Sequence, residues 1–216
     1  MKNGDDCCLK KSNYTFMKII LILAISIAAL ITVVQIYLVM SASKTETQVY
    51  KILLSKDNFE IRFYPAVNIA SITSSAKSYK ELANPGFRKL AGYIFGGNER
   101  KINISMTSPV HMDINDSAST MSFVMPSSYN LDNLPKPNDK QVIIKTVPDE
   151  IVAAIKFGGY ASDEDIERNK QKLIKLLNEN KIAFYGNFRF LGYNAPYQFI
   201  NRRNEIIVNV NWQTSE

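Results

Sequence analysis

The sequence predicts an α+β fold: a curved antiparallel sheet or distorted antiparallel β-barrel made from a duplicated β-α-β-β unit, flanked by two helices and preceded by one N-terminal transmembrane helix. Three observations carry that expectation. Residues 19–40 hold no charge. Residues 50–212 alternate short apolar runs with two amphipathic helical stretches, and matching positions in the two halves of that region recur at offsets of 86, 87 and 84.

The uncharged run, Ile19 to Met40, has 22 residues. At 1.5 Å per residue it spans about 33 Å as a helix, enough for the hydrocarbon core. Ser26, Thr32 and Gln35 are its only polar members, and Tyr37 lies where an interfacial aromatic belongs. Lys10, Lys11 and Lys18 precede it, while Lys44 and Glu46 offset each other after it. The positive-inside rule therefore makes 1–18 a cytoplasmic head, 19–40 a single-pass membrane helix, 41–49 a linker and 50–212 an extracytoplasmic domain. The alternative is a signal peptide cleaved at Ser41-Ala42-Ser43 and a secreted domain; the run exceeds the roughly 7–15 residues of a usual signal core. Cys7 and Cys8, the only cysteines, precede the run. They read as exposed thiols or as an acylation site beside the membrane. With none in the domain, disulfide frameworks, Cys/His zinc sites and thiolate ligands are excluded there. Sequons stand at Asn13, Asn103 and Asn115.

Within the domain, residues 59–64 and 67–72 read as half-buried strands broken at Pro65. Ser78 with Glu81 forms a capping-box pattern, and Asn84-Pro85 offers a second helix start. Phe87, Leu90, Ala91 and Ile94 then share one helix face, which Gly96-Gly97 ends. Strands are predicted at 102–106, 109–114 and 119–125, and a surface connection from Tyr129 to Lys140. The order then repeats: strands at 142–147 and 151–157, a helix capped by Ser162 and Asp165 with Ile166, Leu173, Ile174 and Leu177 on one side, and strands at 187–193 and 205–210. Ile69 matches Ile155, Pro109 matches Pro196, and Phe123 matches Ile207. Such spacing implies two copies of one unit rather than a solenoid. Their strands can merge, leaving a groove for a ligand where helix meets sheet.

Several segments resemble the SOUL haem-binding family in order and spacing: Phe59-Glu60-Ile61-Arg62-Phe63-Tyr64, Gly86-Phe87-Arg88-Lys89-Leu90, Met106-Thr107-Ser108-Pro109-Val110, Phe157-Gly158-Gly159-Tyr160-Ala161, Gly192-Tyr193-Asn194-Ala195-Pro196 and Asn201-Arg202-Arg203-Asn204-Glu205-Ile206. The resemblance covers residues 50 to 210. It implies a distorted antiparallel barrel flanked by two helices, binding haem or a related tetrapyrrole without a shared catalytic reaction. It also implies a site on the first helix, at Phe87, Lys89 and Leu90 with Arg88 and Tyr93 alongside. A lysine of some relatives is here Gly92. A histidine proposed as iron ligand in another is here Phe63, which cannot ligate iron.

His111 is the only histidine and hence the candidate axial ligand; strand alternation sets it opposite Val110 and Met112. Met106, Met112, Met121 and Met125 could offer a thioether but equally fill a core. Tyr93 and Tyr160 could bind ferric iron only as phenolates. Arg88 and Lys89 read either as propionate partners or as a solvated face. The net charge of +6 comprises +2 in the head and +4 in the domain, without a Lys/Arg stripe interleaved with aromatics, so nucleic acid is not an expected partner. No nucleophile elbow or phosphate loop is present, and the acids at 163–167 suit a helix N-terminus. The expectation is a membrane-tethered, non-enzymatic haem carrier or buffer. The alternative is a module of the same fold for another amphipathic molecule or a protein partner.

Overall fold

The computed structural model describes residues 5–42, 45–56, 58–115, 117–198 and 200–213, with side chains of the N-terminal helix described from 16 to 37. The chain divides into two units, Met1–Lys44 and Thr45–Glu216. The first contains helix α1, Asp5–Ala42. It outruns the predicted span because neither proline nor glycine interrupts it. Its stretch Phe16–Tyr37 is long and apolar enough to cross a membrane. The side chains of Cys7, Cys8 and the Asn13 sequon, with Ser43 and Lys44, lie outside the described residues.

The second unit contains β1 (Glu46–Thr47), β2 (Lys51–Lys56), β3 (Phe59–Tyr64), β4 (Val67–Ser74), α2 (Tyr79–Ile94), β5 (Thr107–Ser108), β6 (Val110–Asp113), β7 (Ser119–Val124), β8 (Ile143–Val147), β9 (Glu150–Phe157), α3 (Asp163–Glu179), β10 (Phe184–Gly192) and β11 (Asn204–Val210). Both predicted serine caps form: Ser78 Oγ accepts from Glu81 N at 3.2 Å and Ser162 Oγ from Asp165 N at 3.1 Å. The second start at Asn84-Pro85 is not used. Helix α2 runs through Pro85 because Leu82, Gly86, Leu90, Tyr93 and Ile94 bury one continuous face, which outweighs a missing N–H. Gly86 permits that contact: a Cβ there would meet Met121 at 3.1 Å and Ile72 at 3.3 Å. The strand expected at 102–106 is reduced to an isolated bridge between Phe95 and Asn103. Strand β2, whose sequence shows little alternation of burial, was not predicted.

Nine strands form one antiparallel sheet in the order β2-β3-β9-β11-β10-β6-β7-β4-β8, and β1 pairs with β5 in a separate parallel ladder. The sheet is not the closed barrel expected. Its edges, β2 and β8, are not paired to each other. Yet β3 reaches β4 through Pro65-Ala66 alone, and β8 reaches β9 through Pro148-Asp149 alone. Three Cα steps cover at most about 11 Å. Strands near opposite edges are thus drawn together, and the sheet curls into a cup. Helices α2 and α3 cover one face, burying Ile72, Leu90, Met121, Phe123, Leu173, Leu177, Phe190 and Ile206 among others. The opposite face carries a smaller cluster: Tyr64, Val152, Ala154, Leu191 and Ile207.

On that second face lies a buried ion-pair network. The Arg62 guanidinium donates from Nη1 to Glu205 Oε2 at 2.7 Å, from Nη2 to Glu205 Oε1 at 3.1 Å, and from Nε to Glu60 Oε2 at 2.7 Å. Arg62 and Glu205 are both fully buried. Arg203 Nη2 and Tyr193 Oη also donate to Glu205, at 2.7 and 3.0 Å, and Tyr50 lies 4.2 Å beneath Arg62. Burial opposes the charge on Arg62, but its bonds to Glu205 prevail and raise its pKa further. Removing one member strands the others in low dielectric. Glu205→Ala is expected to cost about 3–5 kcal/mol in urea unfolding, because two guanidinium groups lose their acceptor. A loss below about 1 kcal/mol would show that water or relaxation replaces it.

Candidate functional site

The residues expected to hold a ligand lie on α2, and helical periodicity sorts them into two groups. Leu90 and Tyr93 face inward, 0% and 2% exposed. Tyr93 Oη donates to Pro135 O at 2.9 Å, and burial pushes its phenol up to about 12, so a phenolate there is disfavoured near neutrality. Phe87 is half-buried with its ring 5.3 Å from that of Phe123. Arg88 and Lys89 are exposed, and Lys89 Nζ donates to Gln141 Oε1. Positions 88, 92 and 95 share a stripe at i, i+4, i+7. Among the described residues nothing lies within 4 Å of where a Gly92 Cβ would stand, and Phe95 is 62% exposed. The helix thus presents a flat patch ending in an aromatic ring, with a cation at its other end. Sequence reasoning missed Phe95 because it falls one residue beyond the helical pattern, at the C-cap.

His111 lies elsewhere, in the cup. It faces away from Val110 and Met112, as alternation requires, and its Nε2 lies 2.7 Å from Gln48 Oε1. A cavity of about 190 Å³ opens here, lined by Tyr64, Val67, Ile69, Lys145, Glu150 and Arg189 among others. Arg189 grips Glu150 through two bonds of 2.9 and 2.6 Å. The volume falls below the roughly 300–1,000 Å³ usual for sites enclosing drug-sized ligands. Burial pushes the His111 imidazolium down to about 4, with the Arg189 charge adding to the shift. Gln48, Glu150 and Arg189 come from segments far apart in sequence, so no local motif announces them.

A second recess, of about 520 Å³, lies between α3, the start of α2 and the sheet. Met112, Ile114, Ile166, Phe188, Phe190 and Ile206 supply its apolar wall, and Lys77 and Lys170 stand at it with Asp163 and Glu167. A bulge in β10 between Tyr185 and Arg189, with Gly186 at φ 74°, shapes its floor. Residues 87–93 line neither recess. Met112, Met121 and Met125 are buried in the core and Met106 packs against it, whereas the exposed Tyr160 donates to Pro196 O at 3.0 Å. Among the described residues no three His, Cys, Asp or Glu side chains cluster as a metal site.

A family model described as SOUL heme-binding protein matches residues 45–209. The chain is 29% identical over 160 residues to Heme-binding protein 2 of Mus musculus, covering 69% of this chain and 76% of the relative. It is 29% identical over 168 residues to Heme-binding protein 2 of Homo sapiens, covering 74% and 82%. To Heme-binding protein 1 of Xenopus laevis it is 30% identical over 156 residues, covering 68% and 81%. Among solved structures, the EcmrR C-terminal domain superposes with a TM-score of 0.57 at 8% identity, over 76% of this chain and 99% of that one. A hydrolase from Listeria innocua gives 0.52 at 7%, over 73% and 94%. At such identities the likeness is one of fold.

Because His111 is the only imidazole, its titration is directly readable. A folded pKa held below the ordinary value means that stability is complete above about 6.5 and is lost as pH falls toward 4. Unfolding free energy is expected to drop by about 1–2 kcal/mol between pH 7 and 5, and His111→Gln to flatten that slope. An NMR midpoint at or above about 6.5 would contradict it.

Proposed function

The chain belongs to the SOUL heme-binding protein family, and from that premise we propose that its domain binds haem or a related tetrapyrrole as a carrier or buffer, without catalysis, while α1 tethers it to a membrane. The observation that carries the binding reading is the family match across residues 45–209, which takes in the nine-stranded sheet and both of its helices. Relatives named as heme-binding proteins support haem as cargo.

The site that fits best is the outer face of α2. A flat macrocycle needs an unobstructed apolar platform and cations for its propionates. Gly92 leaves the last turn of the helix open, Phe95 offers a ring for stacking, and Arg88 and Lys89 supply the charge. Phe87, Leu90 and Tyr93 hold the helix on the sheet beneath. Contact of this kind needs no axial ligand, and His111 faces the cup, on the side of the sheet away from α2. Binding of micromolar strength, about −8 kcal/mol, is expected.

The recess beside α3 favours a second reading, in which the same fold takes another amphipathic molecule: at about 520 Å³ it is large enough. The duplicated-unit reading draws support from the strand order, where β4-β7-β6 on one side of the centre mirrors β9-β11-β10 on the other. For α1, the supporting observation is its 22-residue apolar stretch, which fits both an anchor with the domain outside the cytoplasm and a signal removed on secretion.

Hemin titration of a 45–216 fragment is expected to give a saturable Soret shift, with Lys89→Glu weakening binding about tenfold and His111→Ala having little effect. The reverse order would move the site into the cup, and no saturation by about 50 µM hemin would remove the haem reading. In carbonate extraction the full-length chain is expected to stay in the membrane pellet; release of a shortened chain would mean cleavage and secretion.

A further inference from the structure

One end of the sheet gathers features that the haem site does not use. The chain enters the domain there: Glu46 and Thr47 pair with Thr107 and Ser108, immediately before β6. Val110 at the start of β6 pairs with Gly192, Gly192 with Asn204, and Asn204 with Phe157. The loops 158–162 and 193–203 therefore leave the sheet at the same end as the entry point.

The described residues of loop 193–203 brace one another. Arg202 Nη1 donates to Ala195 O at 2.8 Å and to Gln198 O at 2.5 Å, its guanidinium lies 4.2 Å over the Tyr160 ring, and Arg203 N donates to Asn194 Oδ1 at 2.6 Å. Around that brace stand Tyr160, Tyr197 and Ile200, exposed by 56%, 60% and 51%. Neither loop contains an acidic residue, and the acids that follow, Asp163, Glu164 and Asp165, belong to the first turn of α3. A tip of tyrosines and isoleucine braced around an arginine has the chemistry of a bilayer interface, where phenol rings sit at headgroup depth.

We infer that this tip, Tyr160, Tyr197 and Ile200 set around Arg202, is a lipid-docking surface that lays the domain's entry end against the bilayer. The inference rests on the membrane reading of α1, because a chain held just upstream of Thr45 has its point of attachment at this end. Docking adds a second, weaker contact to that tether, and two contacts on one chain hold far better than either alone.

The 45–216 unit carries its own core and complete sheet, so docking can be tested without α1. Vesicles of phosphatidylcholine and phosphatidylserine at about 7:3 are expected to co-sediment the fragment, and Ile200→Asp to lower the bound fraction about fivefold with unchanged melting and hemin titration. An Ile200→Trp variant should show, against the unsubstituted fragment, a blue-shifted emission with vesicles and quenching by brominated acyl chains. A fragment that ignores vesicles, Ile200→Asp that binds as well as the parent, or a patch that instead drives a concentration-dependent dimer would each overturn the inference. Cleavage of α1 in carbonate extraction would remove the tether while leaving the vesicle result to stand or fall separately.

Discussion

The Arg62–Glu205 pair is the constraint on which the domain's shape depends. Strand β3 lies second from one edge of the sheet, yet Pro65-Ala66 joins it directly to β4, second from the other. Something must hold β3 against β9 and β11 while the sheet is bent that far. The bidentate contact from Arg62 to Glu205 does so across β9, with Glu60, Tyr64, Tyr193 and Arg203 meeting the remaining polar capacity. A charge pair this deep is tolerable only when every member is satisfied. It specifies one register, because a slip of one residue would turn Arg62 toward the helices.

Curling without closing divides the sheet into two working faces. The helix-covered face holds the large core and presents the outer side of α2, where the platform of Gly92 and Phe95 meets Arg88 and Lys89. The cup is narrow and occupied by its own polar contacts: Gln48 reaches His111, and Arg189 is bound to Glu150. In the proposed reading a tetrapyrrole lies on the exposed flank of α2 and not in the cavity that the only histidine lines.

The candidate site was partly legible. Arg88 and Lys89 are outward-facing, as an amphipathic helix requires, and His111 is opposite Val110 and Met112, as a strand requires. Leu90 and Tyr93 share the site's stretch of sequence but belong to the core, because 100° per residue turns them from the face that Arg88 and Gly92 occupy. Phe95 escaped notice at the cap. Gln48, His111, Glu150 and Arg189 line one cavity only when four distant segments pack, so nothing local marks them.

The sequence by itself determined most of the elements and several of their faces: the serine caps at 78 and 162, the alternation in β3 and β6, the apolar length of α1 and the family to which the domain belongs. These depend on interactions within a few residues, or on motifs whose order survives without coordinates. The tertiary structure alone decided that the sheet stays open, that α2 continues through Pro85, and which side of α2 remains free. Those outcomes hang on contacts between residues tens to over a hundred positions apart, such as Gly86 against Met121 and Arg62 against Glu205. Their free energy exists only once the chain has brought the partners together.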